Sequence, residues 1–377
     1  MKVTISCGGV FHAYHTARAV AKAGILEQFI IGIYVKGEGG ISPGAYKKIV
    51  LPNYLGAAIQ SIPHPNSTYV SYAIRDNLFD WSAARALRPC DIFHGWTHMS
   101  LHSMRRAKSL GAKVIVDRAG VHPALQERLL SEEYERFGLR WPKSASRLNR
   151  KQVQEFEEAD SIIVCSEPIA RSLRSQGVSA EKIAVLTLGA ATERFVPSLK
   201  RDDVFRVMFA GLICLRKGVP YLLEAFKRLN LPNAELALVG WIGNDARAFL
   251  PEYEGVYRHI NFVAQEKLPA LYNSASVLVL PSIEEGFGMV VPEAAACGVP
   301  VIITENVGAT IRDGQDGYVV PIRDVDALAD RLLRLYENND LRRQMGASAR
   351  EYVLQHYTWD RYGERLLAHY RALLERA

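Results

Sequence analysis

The chain has 377 residues, 49% apolar and 23% charged, with a formal net charge of +6. It is too long for one ordinary core and ordinary in composition, so two globular domains are expected and a disordered or fibrous chain is excluded. No run approaches the roughly 18–20 apolar residues that span a bilayer.

KVTISC (2–7) reads as a first buried strand, its apolar stretch being too short for a secretory h-region. Gly8-Gly9 and a helix through HTARAVAKAG follow, with Gly24 at the position that ends a helix. DIFHGW (91–96) is the next strand, then a helix through MRRAKSLG closed by Gly111, then strand AKVIVDRAG (112–120). DSIIVCS (160–166) is a strand, Pro168 suits the first turn of the helix after it, and KIAVLTLG (182–189) is a further strand. Residues 189–203 are polar and without period, as a linker would be. A second series then runs FRVMFAG (205–211), AELALVG (234–240), HINFVA (259–264), SVLVLPS (276–282) and VPVIIT (299–304). Short apolar runs bounded by Gly, Pro or Ser suit strands buried on both faces, and their alternation with helices predicts parallel sheets. The fold class expected is α/β, two Rossmann-like doubly wound domains, 1–200 and 201–377, facing across a cleft. The tail from Trp359 has apolar residues at helical spacing and is expected to cap the second domain or cross back onto the first.

Charge is uneven. Residues 1–200 hold 26 Lys+Arg against 17 Asp+Glu, a net +9, and residues 201–377 hold 20 against 23, a net −3. The basic half suits either plain solvation or peripheral contact with an anionic inner membrane face; nucleic acid is not expected, because no basic motif is interleaved with aromatic residues. Five cysteines (Cys7, Cys90, Cys165, Cys214, Cys297) lie scattered without C-x-x-C spacing, which argues against zinc and disulfides and for the cytoplasm.

Ligands of open α/β sheets bind beyond the carboxyl ends of the strands. There, EEGFGMVVPE (284–293) places Glu285 in a loop and Glu293 in a first helical turn, around Gly286 and Gly288, which let backbone amides approach a ligand. Such carboxylates accept hydrogen bonds from sugar hydroxyls, although a first-turn Glu293 also serves a helix dipole. FAGLICLRKG (209–218) places Arg216 and Lys217 after a strand, framed by Gly211 and Gly218, as phosphate ligands or as solvated charge. GGVFH after the first strand lacks G-x-G-x-x-G. His94, His98 and His102 recur every four residues, but His94 closes a strand, so a shared metal-binding helix face is not expected.

The run RKG followed by LPALYNSASVLVLPSIEEGFGMVVPEAAACGVPVI, with VCSEPIARSLRSQGV, EKIAVLTLGAATERFVP and DGQDGYVVP, resembles the retaining glycosyltransferases of family 4, which have the two-domain glycosyltransferase-B (GT-B) architecture. The likeness covers most of 150–325 and, more loosely, SCGGVFHAYHTARAV and VIVDRAGVHPALQERLLSEEYERFG. It implies transfer of a sugar from a nucleotide-diphosphate donor to a saccharide, lipid-linked or small-molecule acceptor, with no cofactor and no metal. Arg216 and Lys217 would bind the diphosphate, and Glu285 the sugar, near the amides of Phe287 and Gly288. Glu293 would hold the ribose, and Gly211, Gly286, Met289 and Val290 would complete the donor set. His122 would lie near the reacting sugar, the alternative being a capping or packing histidine before Pro123, with Gly8, Gly9, His12 and His15 on the acceptor side. ENVGATIRDG departs from the family pattern after Thr304, and Trp241 replaces a small residue, which would narrow the cleft. A nucleotide-sugar-binding module without turnover and a sugar-nucleotide epimerase are the alternatives.

Overall fold

Buried, β-branched runs pair in parallel only when connections carry the chain back across a sheet face, and these do. The computed structural model describes residues 1–35, 40–62, 67–141, 145–309 and 311–376. The first sheet contains β1 (Val3–Cys7), β2 (Leu26–Ile31), β3 (Tyr46–Lys48), β4 (Ile92–Trp96), β5 (Lys113–Arg118), β6 (Ser161–Val164) and β7 (Ile183–Val185), in the order 3-2-1-4-5-6-7. The second contains β8 (Phe205–Ala210), β9 (Ala234–Val239), β10 (Arg258–Ile260), β11 (Val277–Leu280), β12 (Val301–Thr304) and β13 (Gly317–Val320), in the order 10-9-8-11-12-13. The strand order reverses between β1 and β4 and between β8 and β11, and there the loops part to leave a crevice. Two Rossmann-like parallel sheets form the molecule, as expected.

Three strands escape a reading by apolar runs. β2 carries Gln28, buried and bonded to the Ala86 carbonyl and the Arg88 amide. β3 is a three-residue edge with Lys47 and Lys48 exposed. β13 opens at Gly317, where a Cβ would lie 1.9 Å from the Val301 carbonyl oxygen. Gly24 and Gly111 do end their helices, at φ of 72° and 86°. All five cysteines are buried and free. Among the described residues no helix is long and apolar enough to cross a membrane.

The chain passes between the two sheets twice, side by side. Ala190 and Thr358 form a parallel bridge, the Ala190 amide donates to the Tyr357 carbonyl at 2.8 Å, and a Cβ on Gly189 would lie 2.4 Å from the Trp359 nitrogen. The final helix, Trp359–Glu375, then lies on the first domain against the helix Ala13–Lys22. Its inward residues Tyr362, Leu366 and Tyr370 are fully buried. The Tyr362 hydroxyl meets Thr16 Oγ1 at 2.8 Å, the Tyr370 hydroxyl meets His94 Nδ1 at 2.6 Å, and Trp359 stacks on His15. Ala377 lies outside the described residues.

A second contact joins the domains beside the crevice. The helix Pro123–Arg136 presents Glu133, fully buried, which accepts from the Tyr221 hydroxyl at 2.8 Å and from Arg323 Nε at 2.7 Å. Tyr134 donates to Asp245 at 3.2 Å. Arg323 has φ of 65°, a left-handed backbone unusual for a side-chain-bearing residue.

Candidate active site

The second-domain wall begins where β8 ends. Gly211 (φ 146°) turns the chain, and a tight turn over Leu215–Lys217 is fixed from below by Asp245, which accepts the Leu215 amide at 3.0 Å. Gly218 (φ 66°) follows, and a Cβ there would collide with the Pro281 carbonyl oxygen at 1.9 Å. That close approach seats the turn against the loop after β11 and brings two cations onto two carboxylates. Arg216 Nη1 donates to the Glu284 carbonyl at 3.1 Å and lies 3.4 Å from Glu284 Oε2. Lys217 Nζ pairs with Glu285 Oε2. Glu285 Oε1 also accepts from the Gly286 amide at 3.2 Å. Burial pushes the Glu285 carboxyl up, but the Lys217 and Arg216 charges outweigh it and hold it below the usual range.

The bend after Glu285 is tightly packed. A Cβ on Gly286 would lie 1.8 Å from the Ala119 carbonyl oxygen of the first domain, and the Gly286 carbonyl accepts from Ser166 Oγ. Phe287 is buried, Gly288 takes φ of 82°, and the Phe287 carbonyl accepts the Ala309 amide at 2.7 Å. The 305–309 loop, which departs from the family pattern, thus backs the bend; Thr310 lies outside the described residues. Met289 and Val290 begin the seven-residue helix Val290–Ala296. The longer helix, Val219–Leu229, starts one residue after Lys217, beyond Gly218, and is the one whose N-terminus adds positive potential beside the cations.

Glu293 sits behind the bend with a different partner. Its Oε2 accepts from the Tyr272 hydroxyl at 2.8 Å, and burial pushes its carboxyl up to about 7. The two glutamates share no hydrogen-bond partner, which argues against an acid–base dyad.

The first-domain wall comes from the loops after β1, β4 and β5. Phe11, Trp96, His98, Arg118 and Gly120 face Arg216, Glu284, Glu285 and Gly286 around a cavity of about 260 Å³. Arg118 is buried; its Nε donates to the Gly120 carbonyl at 2.8 Å and its Nη2 to the Val121 carbonyl at 2.6 Å. Burial brings its guanidinium down to about 10, so it stays charged at neutral pH. Trp96 Nε1 and His98 Nδ1 are buried without a hydrogen-bond partner. Behind them His12 Nε2 lies 2.9 Å from Asp117 Oδ2, and His94 Nε2 lies 3.7 Å from the same oxygen. Burial pushes the Asp117 carboxyl up, but His12 and His94 bring it down to about 2.

The predicted residues therefore separate. Arg216, Glu285 and Gly286 line the cavity and Lys217 pairs with Glu285 beside it, whereas Gly211 and Phe287–Val290 lie in the adjoining loop and helix start without lining it, and Gly8, Gly9 and His12 lie in or beside the loop after β1. His15 is not brought to this cleft: it stacks on Trp359 beside Arg18 and Lys22, and burial lowers it to about 3. His122 is not brought there either. Its Nδ1 caps its own helix by accepting the Ala124 amide at 3.2 Å, and its ring lies beside Phe156 in a separate hollow. Trp241 stands out into solvent, stacked with Phe262, rather than narrowing the cavity. Among the described residues no cluster of His, Cys, Asp and Glu could hold a metal. One Asp-x-Asp triplet occurs, Asp324-Val325-Asp326, and it serves a helix start: Asp324 caps the Ala327 amide and Asp326 pairs with Arg228. Arg118, Glu284 and Trp96 were not singled out from the sequence, and His98 was weighed there only as one of three histidines at four-residue spacing. The doubled acid at 284–285 and the Asp-Arg pair closing β5 were the only signals available.

Two family models match in tandem: "Glycosyltransferase Family 4" over residues 7–194 and "Glycosyl transferases group 1" over 191–352. An uncharacterized glycosyltransferase of Methanocaldococcus jannaschii is 31% identical over 184 residues, 46% of this chain and 47% of that protein. D-inositol 3-phosphate glycosyltransferase of Corynebacterium urealyticum is 31% identical over 252 residues, 58% of each chain. The chain thus spans about half the length of the curated relatives it matches. Sucrose-phosphate synthase from Thermosynechococcus elongatus superposes with a TM-score of 0.74 at 21% identity over 100% of both chains. Anabaena HepE, solved in complex with UDP and glucose, superposes with a TM-score of 0.73 at 14% identity, covering 99% of this chain and 100% of that one. These two likenesses show the fold alone. With the two models meeting end to end over the two sheets, the chain belongs to the family 4 glycosyltransferases of GT-B fold.

Proposed function

We propose that the protein transfers a sugar from a nucleoside-diphosphate donor to a saccharide, lipid-linked or small-molecule hydroxyl, retaining the anomeric configuration. The observation that carries this reading is the pairing of Arg216 and Lys217 with Glu284 and Glu285 at the carboxyl edge of the second sheet. A donor diphosphate takes the two cations, and Glu285 is released to accept from sugar hydroxyls. In this reading the Phe287 and Gly288 amides meet the sugar or its phosphates, and Glu293 takes the ribose diol. As the glycosidic bond breaks, negative charge grows on the leaving diphosphate, and Arg216, Lys217 and the N-terminus of Val219–Leu229 stabilise it. That is the task a divalent cation performs elsewhere, so the reaction is read as metal-independent. The acceptor enters from the first-domain side, past Gly8, Gly9 and His12. The HepE complexes with UDP and UDP-glucose support a nucleotide-sugar donor on this fold.

Lys217→Ala is expected to lower turnover about 10²- to 10³-fold and to abolish the thermal stabilisation that a nucleoside diphosphate gives the wild type. Full turnover by this variant would sink the diphosphate assignment. Turnover that survives a chelator agrees with metal independence, and turnover lost to it refutes it. Donor consumed with no acceptor product would indicate the epimerase or a hydrolase instead.

A further inference from the structure

One face of the first domain takes no part in this chemistry. Between residues 40 and 90 the sequence holds five basic residues, Lys47, Lys48, Arg75, Arg85 and Arg88, against two acids, Asp76 and Asp80. Both acids are buried and engaged: Asp76 with Arg75, and Asp80 with Lys151 and the Ser103 amide. The exposed charge of this segment is therefore all positive.

Between the cations the surface is apolar. The helices Leu51–Gln60 and Ser67–Ala86 pack together, and the first carries no charged residue. Leu51 is 65% exposed, Tyr54 71%, Ile62 54% and Trp81 51%. With β3 the two helices enclose an open groove of about 690 Å³ in which Leu55, Leu78 and Trp81 lie beside Lys47, Lys48 and Arg85. Arg85 lies 3.1 Å from the centre of the Trp81 ring, and Lys48 Nζ 3.4 Å from that of Tyr34. Apolar stems and rings with cations at their rims are the pattern of a surface resting at the headgroup level of a bilayer.

We propose that this face docks on an anionic lipid bilayer. A second copy of the chain is the weaker occupant, because an isologous pairing would set like charges against one another with no acid between them. Docking stands without the transferase reading; only its use rests on that reading. Asn53 Nδ2 donates to the Gly8 carbonyl at 3.2 Å, and Phe11, 57% exposed, stands at the cavity rim. The docked face thus adjoins the acceptor side of the cleft, where a lipid-linked acceptor would arrive.

Co-sedimentation of the full chain with vesicles, without donor or acceptor, tests the idea. The protein should pellet with phosphatidylcholine vesicles containing phosphatidylglycerol, stay in solution with phosphatidylcholine alone, and be released by salt. Lys47→Gln with Lys48→Gln should weaken partitioning about thirtyfold, and Leu51→Ser with Tyr54→Ser and Trp81→Ser should abolish it with the melting midpoint and nucleotide binding kept. Equal binding to both vesicle types, or full binding by the triple variant, overturns the proposal. So does a dimer lost in the triple variant from a wild type that ignores both vesicles. Loss of nucleotide binding in an otherwise vesicle-bound wild type would count against the transferase reading alone.

Discussion

Glu293 reports on its surroundings through its proton. Burial raises its carboxyl from the ordinary value to about 7, with the Tyr272 hydroxyl and Arg194 only partly offsetting it. In the unfolded chain it ionises near the ordinary carboxylate value, whereas in the folded chain it holds its proton to about neutrality. Its contribution to stability is therefore fully present at acid pH and is lost as pH rises through about 7. Glu293→Gln should remove that loss and leave the protein up to about 3 kcal/mol more stable than wild type above neutrality, with no gain in acid; denaturant melts across pH measure it. Under the proposed ribose role, binding needs the carboxylate. Donor affinity should then fall as pH drops below about 7, with a proton released on binding, which calorimetry in buffers of different ionisation enthalpy detects. Lys217 and Glu285 make a complementary device. Neither charge can be left unpaired in the buried site without cost, so a ligand that offers an anion but no hydroxyls, or the reverse, gains less than one that offers both.

The bend at Gly286–Gly288 joins the donor wall to the opposite domain. A side chain at Gly286 would meet the Ala119 carbonyl, so Gly286→Ala should push the two walls apart while each sheet stays folded. Its expected signature is a donor Kd raised at least about tenfold with a change of less than about 1 kcal/mol in unfolding free energy. This element was legible in the sequence because everything it needs is local: an apolar strand, a glycine bend and a helix start. The same holds for β8 and its Arg-Lys turn. What was not legible depends on partners far along the chain. Arg118 acquires meaning only because Glu284 and Arg216 face it across the cavity. His122 resembled a site residue by position, yet its ring turns back to cap its own helix. The helices Leu51–Gln60 and Ser67–Ala86 gave no apolar period because their apolar residues lie on both the buried and the exposed sides, and periodicity reports burial only where the other face is polar.

At the scale of the whole molecule the two domains are held by the Glu133 cluster on one side of the cleft. Arg323→Ala would leave Glu133 buried with only the Tyr221 hydroxyl, a change of about 3–5 kcal/mol for a buried charge that loses its partner. Because the cluster lies between domains, that cost should appear as opening rather than unfolding. Small-angle scattering should give a larger radius of gyration, with weaker donor binding and a nearly unchanged melting midpoint. Tyr221→Phe, which removes one neutral donor, should act in the same direction by about 1–3 kcal/mol.

The paired crossings at Ala190 and Thr358 set how such an opening proceeds. A single linker would let one domain swivel freely about the other. Two covalent tethers bonded to each other side by side resist twisting and sliding and leave bending about one line as the soft motion. Each closure then follows the same arc, and the donor wall returns to the same register opposite Arg118 without a search over orientations. The final helix, which lies on the first domain while its chain leaves the second, makes the second tether, so its anchoring at Tyr362 and Tyr370 governs the repeatability of the cleft as much as the stability of the fold.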